Sequence, residues 1–203
     1  MNESTSEITP RFAPEIEAVL RRAGWFPERQ IEENRMAQWY LIPWDGVSGY
    51  YKMFPAAYRF LREFGGLRIN PDNPHRSELA RSYDEFIIDP LITDLEYDMS
   101  IYYEWCLETT LFQIGAFVQE LHYPILIDIS GRVWIAAEQL ILAGNNTEEA
   151  ISNLISGDDA SRIIVNMGNV FAKERYKDGA SDAIVDAIRQ LGNRSITLWK
   201  ESE

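Results

Sequence analysis

The chain has 203 residues, of which 19 are basic and 32 are acidic, and its formal net charge is −13. This charge repels phosphate backbones and argues against nucleic-acid binding, whereas it suits a basic partner. Apolar residues make up 46% of the chain and charged residues 25%, as in ordinary soluble proteins, and no apolar run approaches the roughly 20 residues of a membrane span. We therefore expect a soluble cytoplasmic protein that binds neither nucleic acid nor a membrane.

The first part of the chain predicts helices separated by turns. Residues 1–11 are polar, lack the apolar core of a signal peptide and are expected to be disordered. Apolar residues recur at helical spacing in 14–23 and 56–64, and glycine follows each run, which predicts two helices. Short strands are predicted within 36–43 and at 86–88.

A further helix is predicted to begin at Asp89-Pro90 and to run to about Cys106, because aspartate caps helices and proline suits their first turn. On a helical wheel one arc is expected to face the core: Leu91, Leu95, Met99, Tyr102 and Cys106. A second arc is expected to face solvent: Asp94, Asp98, Ile101 and Trp105. An exposed tryptophan ringed by carboxylates indicates a binding surface.

Acidic residues concentrate in the segment 78–108, where nine acids stand against one base and leave −8 of the total charge of −13. Aromatic residues are interleaved with these acids: Tyr83, Tyr97, Tyr102, Tyr103 and Trp105. Acidic groups steer a basic partner and aromatic groups anchor it. The predicted partner-binding residues are Asp94, Asp98, Ile101, Trp105, Glu96, Glu104 and Glu108.

The second half of the chain predicts a hairpin followed by helices. Two turn residues, Ser130-Gly131, separate β-branched runs and indicate a β-hairpin. Strands are expected at 111–121, 123–129 and 132–136, short helices at 137–142 and 147–155, and a longer helix at 181–191; residues 163–165 are ambiguous. These elements together predict an α+β protein, with a small antiparallel sheet packed against helices.

Residue patterns of metal sites are missing from the sequence. Asp94, Glu96 and Asp98 alternate as in the first half of an EF-hand loop, but Met99 and Trp105 occupy the places of the required glycine and glutamate. The two histidines, His75 and His122, are far apart and lie outside any cluster of metal-ligating residues. We predict no metal site and no cofactor.

One carboxylate outside the acidic segment, Asp128, could serve a hydrolase that uses a pair of carboxylates. The alternative is that Asp128 stabilises the turn of the hairpin beside it, as aspartates often do. No second carboxylate or nucleophile accompanies it in a recognisable motif. We therefore predict no catalytic residue and expect the protein not to be an enzyme.

Several short motifs follow one another along the chain in a fixed order. They are Gly24-Trp25-Phe26-Pro27, Phe60-Leu61-Arg62-Glu63-Phe64-Gly65-Gly66-Leu67, Asp89-Pro90, Ile114-Gly115, Ile127-Asp128 with Gly131-Arg132-Val133, Gly144, and Leu154-Ile155-Ser156-Gly157. In this order and spacing the chain resembles the SUKH superfamily of bacterial immunity proteins, and most closely its third subfamily. Two positions depart from the family pattern. Glu28 stands where glycine is expected, and Gln113 stands where proline commonly precedes the Ile-Gly pair.

The resemblance implies a SUKH-like single α+β domain at 12–157. It also implies a protein without catalytic residues that binds and neutralises a cognate polymorphic toxin, often a nuclease or another nucleic-acid-directed enzyme. On this interpretation the seven partner-binding residues contact a basic toxin domain. Residues 158–203 extend past the resemblance and are expected to form a C-terminal helical extension packed on the same domain.

Two other functions stay open from the residues alone. A regulatory scaffold would bind several partners weakly, whereas an immunity protein binds one partner tightly. An unrecognised hydrolase would lose turnover on a change such as Asp128→Asn while keeping its fold. The sequence leaves the oligomeric state and the identity of the toxin open.

Overall fold

The computed structural model describes residues 10–43, 50–71, 85–92, 100, 103–104, 107–118, 123–136, 139–157 and 164–166. The helices in these ranges are α1 (Pro14–Arg22), α2 (Glu33–Ala37), α3 (Pro55–Phe64) and α4 (Thr147–Ser156). The strands are β1 (Leu41–Pro43), β2 (Tyr50–Lys52), β3 (Arg68–Ile69), β4 (Phe86–Ile87), β5 (Leu111–Phe117), β6 (Pro124–Asp128), β7 (Val133–Ala136), β8 (Gln139–Gly144) and β9 (Ile164–Asn166).

The main sheet has seven strands in the order β3-β4-β5-β6-β7-β8-β9, so each strand pairs with the next one along the chain. Every pairing is antiparallel. Strands β1 and β2 form a separate antiparallel ribbon. Helices and antiparallel sheets confirm the predicted α+β class.

Both faces of the main sheet are buried. Side chains alternate along each strand, and on β6 Ile125 and Ile127 join the main core beneath α1, α3 and α4. Leu126, between them, belongs to a second cluster on the opposite face, together with Trp134 of β7. Tyr103 is only 4% exposed and packs into this second cluster, so it is not available as an anchor on the acidic surface.

The helices predicted at 14–23, 56–64 and 147–155 are confirmed as α1, α3 and α4. The helix predicted at 137–142 is wrong, because residues 139–142 belong to strand β8. Leu140 and Leu142 join one buried face of the sheet and Ile141 joins the other. A strand buried on both faces is apolar at every position, and periodicity cannot then distinguish it from a buried helix.

The helix predicted from Asp89 to about Cys106 does not begin at Asp89, although Ser100, Tyr103 and Glu104, which lie inside the predicted span, are helical. Pro90 to Ile92 form a turn and a bend, and Leu91 is 50% exposed although the wheel placed it in the core. Instead of capping a helix, the Asp89 carboxylate accepts a hydrogen bond from the Leu91 N–H at 3.0 Å. Of the ambiguous residues 163–165, Ile164 and Val165 lie in β9. Residues 1–9 and the predicted helix at 181–191 lie outside the described residues.

Candidate protein-binding surface

The first two motifs of the chain join at the end of α3. The Arg29 guanidinium donates hydrogen bonds to the backbone oxygens of Glu63 and Gly65, the latter at 2.8 Å. The Trp25 indole donates to the Glu63 carboxylate at 2.9 Å, and Arg11 pairs with the same carboxylate at 2.6 Å. Carbonyls at a helix C-terminus have no partner within the helix and favour a cation. Trp25 of the first motif, together with Arg29 and Arg11, therefore fixes the end of α3.

The Glu28 departure from the family pattern lies in the connection between α1 and α2. Glu28 has a φ of 62°, which is the left-handed region that only glycine adopts without strain. The expected glycine thus corresponds to a real requirement of the backbone at this position. The fold tolerates glutamate there at a conformational cost.

The second motif and the Ile114-Gly115 motif meet at Ile88, which directly precedes the Asp89-Pro90 motif. The Gly66 N–H donates to the Ile88 oxygen at 2.6 Å, and the Ile88 N–H donates to the Leu67 oxygen at 2.9 Å. A Cβ on Gly115 would lie 2.2 Å from the Ile87 oxygen and 3.0 Å from the Ile88 Cα, so only glycine fits. The strand register of β5 shifts at this glycine, which forms a β-bulge.

Gln113, the other residue that departs from the family pattern, forms a hydrogen bond of its own. Gln113 is buried, and its side-chain amide donates a hydrogen bond to the Pro90 oxygen at 3.1 Å. This contact joins the Ile-Gly motif of β5 to the Asp-Pro motif that follows β4. The substituted residue therefore links two motifs of the family.

Asp128 is fully buried and surrounded by donors. One carboxylate oxygen accepts hydrogen bonds from the N–H and hydroxyl of Ser130, at 2.9 and 2.6 Å, and from the N–H of Arg132 at 3.0 Å. The other oxygen accepts from the Arg132 guanidinium at 2.5 Å and from the Trp134 indole at 3.3 Å. The turn-stabilising interpretation of Asp128 is confirmed, and a buried carboxylate engaged in this way has no access to a substrate.

Five of the seven predicted partner-binding residues lie outside the described residues: Asp94, Glu96, Asp98, Ile101 and Trp105. The other two, Glu104 and Glu108, lie just before β5. Glu104 is half-buried, and its carboxylate accepts a hydrogen bond from the Leu111 N–H at 2.8 Å. Burial raises the pKa of Glu104 to about 7, and this hydrogen bond opposes the rise. Glu108 has a φ of 53°, at the turn into β5.

The sequence analysis missed a set of exposed apolar side chains that lie outside the predicted partner-binding residues. The described residues expose seven large ones: Phe26, Tyr40, Leu41, Tyr50, Leu91, Ile92 and Ile129. Three of them lie on or beside the β1–β2 ribbon. Burial alternates along β1 and β2, but the sequence of residues 40–43 and 50–52 does not alternate between apolar and polar residues, and each strand has only three residues, so no signal in the sequence could have indicated the outward face.

The described ranges contain no group of three or more His, Cys, Asp or Glu side chains placed to hold a metal ion. His75 and His122 are outside these ranges. Among the helices that the structure describes, none combines the length and the apolar character needed to cross a bilayer.

Comparison with known proteins gives one match. The family described as SUKH-3 immunity protein matches residues 12–157, which include α1 to α4 and strands β1 to β8. No curated protein and no solved structure matches the chain. The family is one of proteins that are generally not enzymes, and membership indicates a toxin-neutralising immunity role. The motifs whose contacts are described above all lie inside the matched range, and the chain belongs to the SUKH-3 immunity protein family.

Proposed function

We propose that this protein neutralises one cognate polymorphic toxin by binding it tightly in the cytoplasm, without catalysis of its own. The observation that carries the proposal is the family match over residues 12–157. The contacts of the motif residues support it, because Trp25, Gly115 and Asp128 are engaged in holding the fold. Binding is then left to surface residues.

The partner we propose is a basic toxin domain, such as a nuclease or another enzyme that acts on nucleic acid. A protein that binds phosphate backbones must be cationic where it meets them. The net charge of −13 would attract such a domain and accelerate its capture. Fast capture matters when the free toxin is lethal to the cell that makes it.

We propose that the toxin contacts the acidic segment through Asp94, Glu96, Asp98, Ile101 and Trp105, with Glu104 and Glu108 at its end. The hydrogen bond from Leu111 to Glu104 supports the assignment of Glu104 to the end of this surface, since it holds that carboxylate beside the first residue of β5. A side chain that is already held loses less conformational freedom on binding than a free one does.

The test begins with growth of cells that express the toxin domain of the neighbouring gene, with and without this protein. Rescue is expected, together with nanomolar binding that weakens as salt is added. The variant Asp94→Asn/Asp98→Asn/Trp105→Ala should bind more weakly by several kcal/mol. Absence of both rescue and complex would contradict the function, whereas unchanged affinity of the variant would contradict only this surface.

A further inference from the structure

The two ends of the main sheet differ in how their edges are protected. At one end β3 has only two residues, and the guanidinium of Arg68 donates hydrogen bonds to both oxygens of the Glu85 carboxylate, at 2.6 and 2.7 Å. Short edge strands and charged side chains discourage another strand from adding to a sheet. This end of the sheet therefore carries its own protection.

Strand β8, towards the other end of the sheet, has neither of these features. Its six residues, Gln139–Gly144, include no charged residue and no proline. Leu140 and Leu142 are buried on one face of the sheet, and Ile141 and Ala143 on the other. A strand of this length and composition pairs with a strand of another chain when its outer edge is free. Strand β8 therefore needs a cover along its outer edge.

Strand β9 covers the first half of this edge. Residues Ile164–Asn166 pair antiparallel with residues 139–141. These three residues lie beyond residue 157, where the family match ends. The sheet that the structure describes therefore ends in a three-residue strand and not in the longer, mainly apolar β8.

Helix α4 contacts the second half of β8. The Asn153 side-chain amide donates a hydrogen bond to the Ala143 oxygen at 2.8 Å. A Cβ on Gly144 would lie 2.3 Å from the Ala150 nitrogen, so the helix lies directly against the end of the strand. Along residues 139–141, by contrast, β9 is the only strand that the described sheet places on the outer edge.

We propose that the outer edge of β8 at residues 139–141 is a latent pairing site for β8 of a second copy of this chain, and that β9 keeps this site closed. Two copies of one strand pair antiparallel about a two-fold axis, so each copy supplies the same edge and the dimer is closed. The uncharged sequence of β8 places no like charges opposite one another in such a pair. The inference does not depend on the proposed function.

The cover is a small element. Three residue pairs provide few backbone hydrogen bonds, so we expect β9 to open locally at a lower free energy than the centre of the sheet. Opening would free the outer N–H and C=O groups of residues 139–141 for a second copy. Closed β9 and paired β8 are therefore alternative states of the same edge.

Salt distinguishes this self-association from the binding of a basic toxin domain. Each copy carries a net charge of −13, so the two copies repel each other. Added salt screens this repulsion and should favour the dimer. The same salt should weaken the binding of a basic domain, because that binding is driven by attraction.

The experiment opens the edge in the full-length chain with proline, which has no N–H to donate. In an antiparallel pair the N–H groups of alternate residues face the partner strand, so either Val165 or both Ile164 and Asn166 donate to β8. Val165→Pro and Ile164→Pro/Asn166→Pro are therefore matched variants. One of them removes the bonds to β8, and the other removes N–H groups that face away, where an edge strand tolerates proline.

Sedimentation velocity over a range of protein concentrations measures self-association of both variants and of the wild type. The variant that breaks the pairing is expected to dimerise with a dissociation constant at least about tenfold lower than that of the wild type. Its dimer should strengthen as salt is added. The other variant should sediment like the wild type. Hydrogen exchange at residues 139–141 in dilute samples identifies the variant that has opened the edge.

The remaining outcomes overturn the inference. An opened variant that stays monomeric shows that the edge of β8 is not a pairing site. A wild type that dimerises as strongly as the opened variant shows that β9 is not a cover, and so does exchange at residues 139–141 that neither variant accelerates. A series of ever larger species in place of a dimer contradicts the two-fold pairing.

A further substitution locates the pairing. Gln139→Lys, added to the opened variant, places a lysine from each copy within the proposed pair, and such charges oppose pairing between edge strands. We expect it to abolish the dimer and to leave the melting curve of the opened variant unchanged. A dimer that survives this substitution would lie on another surface and would overturn the inference.

Discussion

The Glu104 carboxylate accepts a hydrogen bond from the backbone N–H of Leu111 at 2.8 Å, in a site where burial raises its pKa to about 7. In the unfolded chain the Glu104 carboxyl loses its proton near pH 4.5. Between pH 4.5 and about 7 the folded state therefore keeps a proton that the unfolded state has lost. The free energy of unfolding should therefore fall as the pH rises from 4.5 to about 7. The pKa difference corresponds to about 3 kcal/mol.

Glu104→Gln should remove this pH dependence. The amide oxygen can still accept the hydrogen bond from Leu111, and the side chain cannot ionise. We expect the variant to gain up to about 3 kcal/mol over the wild type between acid and neutral pH. Urea unfolding of both proteins across this range checks the prediction, and parallel pH profiles would contradict it.

Glu28→Gly should stabilise the protein by about 0.5–1 kcal/mol, because it relieves a left-handed backbone conformation and this gain exceeds the entropic cost of glycine. The matched control is Ala18→Gly, at an exposed position of α1, which should destabilise by about 1 kcal/mol. Chemical denaturation measures both changes. A loss of stability in Glu28→Gly would show that the side chain of Glu28 outweighs the backbone strain.

Gly115→Ala should destabilise the protein by about 3 kcal/mol or more, because its Cβ would meet the backbone of Ile87 and Ile88. Gly131→Ala is the control, since its Cβ would meet nothing within 4 Å and only its positive φ of 92° opposes the change. We expect this control to cost about 1 kcal/mol. Equal melting temperatures of the two variants would argue against the close backbone approach at Gly115.

Asp128→Asn should destabilise the protein by about 3 kcal/mol, because it leaves the guanidinium of Arg132 without its charged partner in a largely buried site. Ser130→Ala, which removes one hydrogen bond to the same carboxylate, should cost only about 1 kcal/mol. Toxin binding by the folded fraction should stay unchanged. A folded Asp128→Asn variant of wild-type stability that has lost a hydrolytic activity would instead revive the hydrolase hypothesis.

The parts of the fold that could be predicted from the sequence are those where one local rule decides the outcome. Helix α4 combines Asn146, whose side chain accepts a hydrogen bond from Glu149, with Gly157 in the left-handed conformation at its end. The turn at Ser130-Gly131 is also decided locally, by a glycine with a positive φ. The strand β8 could not be predicted in this way, because its burial comes from neighbours on both faces of the sheet.

The candidate site was predictable only in part, since it depends on contacts between distant segments. The turn after β4 depends on Arg35 and Trp39, whose side chains donate hydrogen bonds to Asp89, 54 and 50 positions later in the chain. The charge of the acidic segment is visible in the sequence, whereas the packing of Tyr103 against the second face of the sheet and the partial burial of Glu104 are not. The exposed apolar residues of the ribbon became evident only when the pairing of β1 with β2 was known.

The pairing of β9 with β8 has a consequence for aggregation. The family match ends at residue 157, and without residues 164–166 the strand β8 would be the last of its sheet. An edge strand rich in apolar residues offers its unpaired N–H and C=O groups to any other chain that can add to it. By donating one more strand, the segment beyond the family domain covers that edge. A protein shortened to the family domain alone would therefore expose a template for β-sheet aggregation.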